Sequence, residues 1–155
     1  MIASALLGLL LLVQIPATAA ERFFVGRTAG SGTIRIVLAG QHDFRARSVG
    51  RLDRSGALVL DQVVEEEGKA ARRRTWRLVR SGANRISGTL SDARGPVSGE
   101  IAGRVLSLRY TPAEGGTVDQ RITFHPNGRT AENRMTIRRF GVPVATVEET
   151  IRRID

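Results

Sequence analysis

Two-residue alternation of apolar and polar side chains, restarted by a glycine-bearing turn about every ten residues, runs from Arg22 to the end of the chain. No segment places apolar residues at i, i+3, i+4 and i+7 over three turns, so the pattern predicts strands and not helices. The strand runs are Thr33–Leu38, His42–Leu52, Ala57–Glu66, Arg72–Arg80 and Arg85–Leu90, then Val97–Ala102, Val105–Thr111, Val118–His125, Thr130–Arg138 and Val142–Ile151. Between them stand turn formers such as Arg54-Ser55-Gly56, Glu67-Gly68-Lys69, Gly95-Pro96, Gly115-Gly116 and Pro126-Asn127-Gly128. The last run contains Glu148-Glu149 and has a short-helix alternative, but its Val-Ala-Thr-Val opening and Ile151 favour a strand.

Connections this short join antiparallel neighbours, because a parallel crossover needs about a dozen residues or more. A long meander with free edges invites aggregation, so it must close or fold into two layers. The expectation is an all-β, antiparallel up-and-down barrel of about 8–10 strands, with a two-sheet β-sandwich as the alternative. The 155 residues suffice for one domain. With no cysteine, a disulfide scaffold and a Cys-ligated metal are both ruled out.

Residues 1–19 carry no charged side chain, hold a short apolar core at 5–13, and end in Pro16 followed by Ala17-Thr18-Ala19. That order is a signal peptide with a small-x-small cleavage site. Residues 20–155 are then the mature barrel domain, starting at Ala20 or Glu21 and released to the periplasm or outside the cell. An uncleaved N-terminal anchor is the alternative. The junction has no Cys to carry a lipid, so the chain is not expected to be a lipoprotein.

Alternation also assigns faces. The inward sets are Leu58, Leu60, Gln62 and Val64; Arg74, Trp76 and Leu78; Leu106, Leu108 and Tyr110; Val118, Gln120, Ile122 and Phe124; and Ala131, Asn133, Met135 and Ile137. Polar members recur on these inward faces: Gln62, Arg74, Asp92, Tyr110, Gln120 and Asn133. An unpaired buried polar group costs ~1–3 kcal/mol. These six therefore satisfy one another, with Arg74 and Asp92 as an ion pair, or they line a ligand cavity beside Trp76.

Several segments taken together resemble a known family. They are Phe24-x-Gly26-Arg27-Thr28-x-Gly30-x-Gly32, Leu58-x-Leu60-Asp61-Gln62, Arg74-x-Trp76, Gly88-Thr89-Leu90-x-Asp92-Ala93-x-Gly95, Leu106-x-Leu108-x-Tyr110 and Asn133-x-Met135. The likeness is to a domain-of-unknown-function family of proteobacterial envelope proteins, many of which carry a lipoprotein description. It implies an envelope location and a lipocalin-like (calycin) barrel, and it carries no activity and no catalytic residues. This chain departs from the lipoprotein members by lacking the Cys.

The charge is +9, from 24 Lys+Arg against 15 Asp+Glu, and Lys69 is the one lysine. A positive field favours anionic partners. Arg72-Arg73-Arg74 is the densest basic run, with Glu65, Glu66 and Glu67 across the turn to neutralise it. Arg45, Arg47 and Arg51 form an outer stripe. Few aromatics are left for base stacking, which argues against nucleic acid. Asp61 and Asp92 have no spacing that brings them together, His125 belongs to a turn, and His42 sits in a loop beside Asp43. No catalytic residue, metal ligand or cofactor is assigned. The glycines from Gly26 to Gly32 read as the bend where the chain enters or plugs the barrel. Two functions lead: a secreted barrel that binds a small amphipathic or lipid-like anionic molecule, or an envelope interaction module with a filled barrel whose basic surface meets anionic lipid or a protein. An enzyme is the third reading and would need a carboxylate or His buried, perturbed and open to a pocket.

Overall fold

The computed structural model describes residues 16–155, so the apolar run at 5–13 lies outside the described residues. A short helix, α1 (Ala19–Phe24), precedes ten strands: β1 (Gly26–Ile36), β2 (Gly40–Leu52), β3 (Leu58–Glu66), β4 (Arg72–Arg80) and β5 (Arg85–Leu90), then β6 (Ala93–Ala102), β7 (Val105–Pro112), β8 (Thr117–Phe124), β9 (Thr130–Arg139) and β10 (Val142–Arg153). Each strand pairs antiparallel with the next, and β1 pairs with β10 to close the barrel. Closure leaves no unpaired edge, and the sandwich alternative falls.

Three local readings are corrected. The glycines at 26–32 are part of β1, not a bend: Gly26 pairs with β2, and Gly30 and Gly32 lie between β2 and β10. Their lack of a side chain serves close approach: a Cβ on Gly32 would lie 1.9 Å from the Glu148 carbonyl oxygen. Gly95-Pro96 does not make the turn between β5 and β6, which falls at Ser91-Asp92. It sits inside β6 where the register with β7 shifts, an irregularity that absorbs a proline's missing donor. His42 is not in a loop; it lies within β2, in register with Ile34.

The plug is α1. Thr18 caps it: its side chain accepts from the Glu21 amide while Glu21 accepts from the Thr18 amide at 2.9 Å. Glu21 also takes a two-pronged bond from Arg80 of β4, Nε to Oε1 at 3.0 Å and Nη2 to Oε2 at 2.6 Å. Burial alone would raise the Glu21 carboxyl, but the Arg80 and Thr18 bonds and the charges of Arg80 and Arg22 outweigh it and hold it below the usual range. Phe23 and Phe24 are buried and meet Phe124 of β8 at ring separations of 5.2 and 5.8 Å. The chain passes so close to β2 that a Cβ on Gly50 would lie 1.9 Å from the Phe24 carbonyl oxygen. One end of the barrel is thereby shut.

The interior has two apolar zones. The larger spreads from the plug and includes Leu58, Leu60, Leu106, Leu108, Ile122 and Ile151. The smaller lies toward the other end and is built from Phe44, Ala46, Val64 and Val147, with Ile34, Met135 and Ile137 against it. Strand parity puts polar side chains between the two.

Candidate functional site

A cavity of about 490 Å³ opens at the end away from α1. Its walls are mainly apolar, and all seven side chains singled out from alternation line it: Gln62, Arg74, Trp76 and Asp92 on one side, Tyr110, Gln120 and Asn133 on the other. Parity places Gln62, Arg74 and Trp76 because β3 and β4 keep register without a bulge, and Tyr110, Gln120 and Asn133 because β7, β8 and β9 do the same, whereas Asp92 reaches the cavity from the β5–β6 turn.

Arg74 is the hub of this belt. Its Nε donates to Gln62 Oε1 at 2.7 Å, and the same oxygen accepts from Trp76 Nε1 at 3.3 Å. The guanidinium lies 5.4 Å from the Trp76 ring centre, within cation–π range. Trp76 in turn meets Tyr110 edge-on at 5.4 Å. Burial raises the Tyr110 hydroxyl above its ordinary value, with the neighbouring Arg74 charge pulling the other way. The nearest carboxylate to Arg74, Asp92 Oδ2, stands 4.0 Å from Nη1, beyond hydrogen-bond length. Arg74 is thus held in place by neutral groups and keeps hydrogen-bonding capacity toward the cavity.

Nearer the mouth the charges pair more closely. Glu66 meets His42 Nε2 at 3.2 Å and Lys69 Nζ at 2.8 Å; Arg72 stands 3.8 Å from Glu66 and 3.5 Å from Asp92. Burial would raise the Glu66 carboxyl, but the bonds from Lys69 and His42 and the charges of Lys69 and Arg72 prevail and hold it below the usual range. The expected Arg74–Asp92 pair is therefore the loosest contact in a longer relay, and Arg72 is Asp92's nearer partner.

Across the barrel, three side chains form a buried chain: Gln120 Nε2 donates to Asn133 Oδ1 at 3.2 Å, and Asn133 Nδ2 donates to Glu149 Oε2 at 2.8 Å. Burial raises the Glu149 carboxyl, opposed by the Asn133 bond and the Arg74 charge. Glu149 fits only because Gly30 faces it, since a Cβ there would lie 2.0 Å from Glu149 Oε1. Among the described residues, two fully buried polar atoms lack a protein partner, Asp92 Oδ1 and Gln120 Oε1, and both belong to residues of this cavity.

The residues that face reasoning missed are His42, Glu66 and Glu149. Parity carries each of them, His42 with Phe44 and Ala46, Glu66 with Val64, Glu149 with Val147 and Ile151, although a charged or polar residue ordinarily points to the surface. Asp61 and Asp92 are indeed apart: Asp61 faces out to Arg51 and Thr75. His125 ends a strand and bonds Thr130 and Gly128 through its backbone. The outer basic stripe is largely paired, Arg47 with Glu65 and Arg51 with Asp61.

The architecture has relatives among solved structures. It is similar to the S-type phycobiliprotein lyase CPES from Guillardia theta, with a TM-score of 0.69 and 11% identity over 88% of this chain and 93% of that one. It is similar also to Rv2717c from M. tuberculosis, with a TM-score of 0.69 and 14% identity over 90% of this chain and 99% of that one. At such identities the likeness speaks for the fold, a lipocalin-like closed barrel. No curated protein sequence matches the chain significantly. A family model described as "Protein of unknown function (DUF3833)" matches residues 13–153, and the chain belongs to that family.

Proposed function

We propose that the barrel binds a small amphipathic molecule with an acidic head, a carboxylate or a phosphate, seated at Arg74. The observation that carries this reading is a guanidinium fixed by Gln62 and Trp76, inside a mainly apolar cavity of about 490 Å³, with no carboxylate within hydrogen-bond length. A charge-assisted bond to such a donor is short and strong where water is scarce. The apolar part of the ligand lies along Phe44, Val64 and Val147 toward the mouth. Secretion by the N-terminal segment, with the barrel working in the periplasm, belongs to the same proposal. Cleavage after Ala19 or Ala20 would remove the Thr18 cap yet keep Glu21, Phe23 and Phe24, the residues that dock the plug.

The test is binding of a long-chain fatty acid and of the matching uncharged alcohol, followed by isothermal titration and by Trp76 emission. Arg74→Met should weaken the acid roughly 10- to 100-fold, the worth of a hydrogen bond to a charged group, and leave the alcohol unchanged. Equal affinity of wild type and variant for the acid sinks the role of Arg74.

A further inference from the structure

Two hairpin tips at the open mouth are built against the ordinary preferences of both turns and water. Closure of the barrel makes the β1–β2 and β9–β10 tips neighbours, and the Val37 amide donates to the Val144 carbonyl at 3.0 Å across them. Leu38 and Phe140, at their apices, are each 104% exposed, and Val37 and Val142 beside them are each 60% exposed. Among the described residues, Leu38 and Phe140 are also the non-glycine residues with positive φ, 64° and 50°. Arg139 pairs with Val142, so Phe140-Gly141 is a two-residue loop with positive φ at both positions, where Asn-Gly is the favoured pair. At the other tip Leu38 occupies the left-handed position that glycine takes with least strain. Elsewhere among the described residues the turn positions with positive φ are held by glycine, as at Gly56, Gly68, Gly103 and Gly128.

Bulky apolar side chains that cost backbone strain and face water have a use other than folding. The charge on the two tips points to what they meet, while exposed Glu67 and Glu114 stand on the adjoining β3–β4 and β7–β8 tips. No Asp or Glu occurs from residue 34 to 42 or from 133 to 147, whereas Arg35 and Arg139 are exposed beside the tips. The apolar surface is continuous with the cavity, because Ile36, Ile137 and Val144 line its mouth just below.

We propose that these tips dock the barrel mouth-down on an anionic lipid surface, with Leu38 and Phe140 in the acyl boundary and Arg35 and Arg139 at the head groups. Apolar anchors ringed by basic side chains bind such surfaces by area burial and charge together. This surface does not depend on which molecule fills the cavity.

The test is co-sedimentation of the processed chain, which begins at Ala20 or Glu21 and lacks the apolar run at 5–13, with vesicles of phosphatidylethanolamine and phosphatidylglycerol, comparing wild type with the double variant L38G/F140N. Glycine and asparagine accept positive φ, so the variant should keep or raise its urea midpoint while binding vesicles roughly 100-fold more weakly, about tenfold per lost side chain. In a separate Phe140→Trp variant, emission should shift to the blue on vesicles beyond any change seen in the wild type, whose one indole is Trp76. Equal sedimentation of wild type and double variant overturns the proposal. So does an indole at 140 that keeps water-exposed emission on vesicles. A wild-type dimer that the double variant loses, with no vesicle binding by either, assigns the tips to a second copy of the chain and overturns it as well.

Discussion

Replacing Gly30 by alanine puts a methyl carbon 2.0 Å from Glu149 Oε1 and 2.8 Å from its Cδ. The Gly30 backbone itself accepts alanine, since its φ is not in the left-handed region. What must move is the Glu149 carboxyl, and moving it breaks the 2.8 Å bond from Asn133 in a buried site. Leaving that pair unsatisfied costs ~1–3 kcal/mol. Stiffening the unfolded chain by Gly→Ala offsets ~0.4–1 kcal/mol. The net loss for Gly30→Ala is therefore ~0.5–2 kcal/mol, a fall in melting temperature of about 2–6 °C for a domain of this size. In a Glu149→Ala background the obstructing atoms are gone, and the same substitution should stabilise by ~0.4–1 kcal/mol. The coupling energy of the cycle is then ~1–3 kcal/mol, measured by urea unfolding of the four proteins. Gly32→Ala is the control: its methyl meets the Glu148 backbone oxygen at 1.9 Å, which no side-chain change relieves, so it destabilises in both backgrounds. If Gly30→Ala costs the same with and without the Glu149 side chain, the reasoning that Gly30 exists to admit that carboxyl is refuted.

Two pH dependences follow from the carboxyls. Glu149 has a folded pKa raised above its ordinary 4.5, so its contribution is full below about that pH and is lost as pH rises through the folded value; Glu149→Gln should remove this downward slope and be at least as stable at neutral pH, read from urea midpoints across the acidic to neutral range. Glu21 has a folded pKa below 4.5, so its contribution is present above that pH and lost as pH falls through the folded value; Glu21→Gln should lower stability at neutral pH by ~1–2 kcal/mol, with the difference vanishing in acid, and a difference that persists unchanged there would contradict an ionic Glu21–Arg80 clasp.

Much of this barrel is legible in the chain because a strand repeats every two residues and a turn needs its glycine. Parity alone placed Gln62, Arg74 and Asn133 in the interior, since nothing between Leu58 and Val64, or between Ala131 and Ile137, disturbs the count. Reading failed where a residue's role is set by a partner far along the chain. Gly30 and Gly32 answer to Glu149 and Glu148, and no local pattern links them. Glu149 and Glu66 carry charge, which in a sequence points to the surface, whereas here hydrogen bonds from Asn133, Lys69 and His42 make burial tolerable. Helix α1 is six residues long, too short for helical periodicity to emerge, and its signal is the Thr18-x-x-Glu21 capping box. Leu38 looked like the end of an apolar strand; only the backbone turning beneath it makes it a tip.

The aromatic stopper formed by Phe23, Phe24 and Phe124 makes the barrel a blind tube, and a blind tube measures only what points into it. A ligand that seats its head at Arg74 and trails its tail toward the mouth never tests its tail against the stopper. In the proposed pose, such a tube would sort its contents by head group and stay indifferent to chain length beyond the rim. Entry and exit would share one doorway, so the head would go in first and come out last, and the lifetime of the bound state would be set at the belt and not at the mouth.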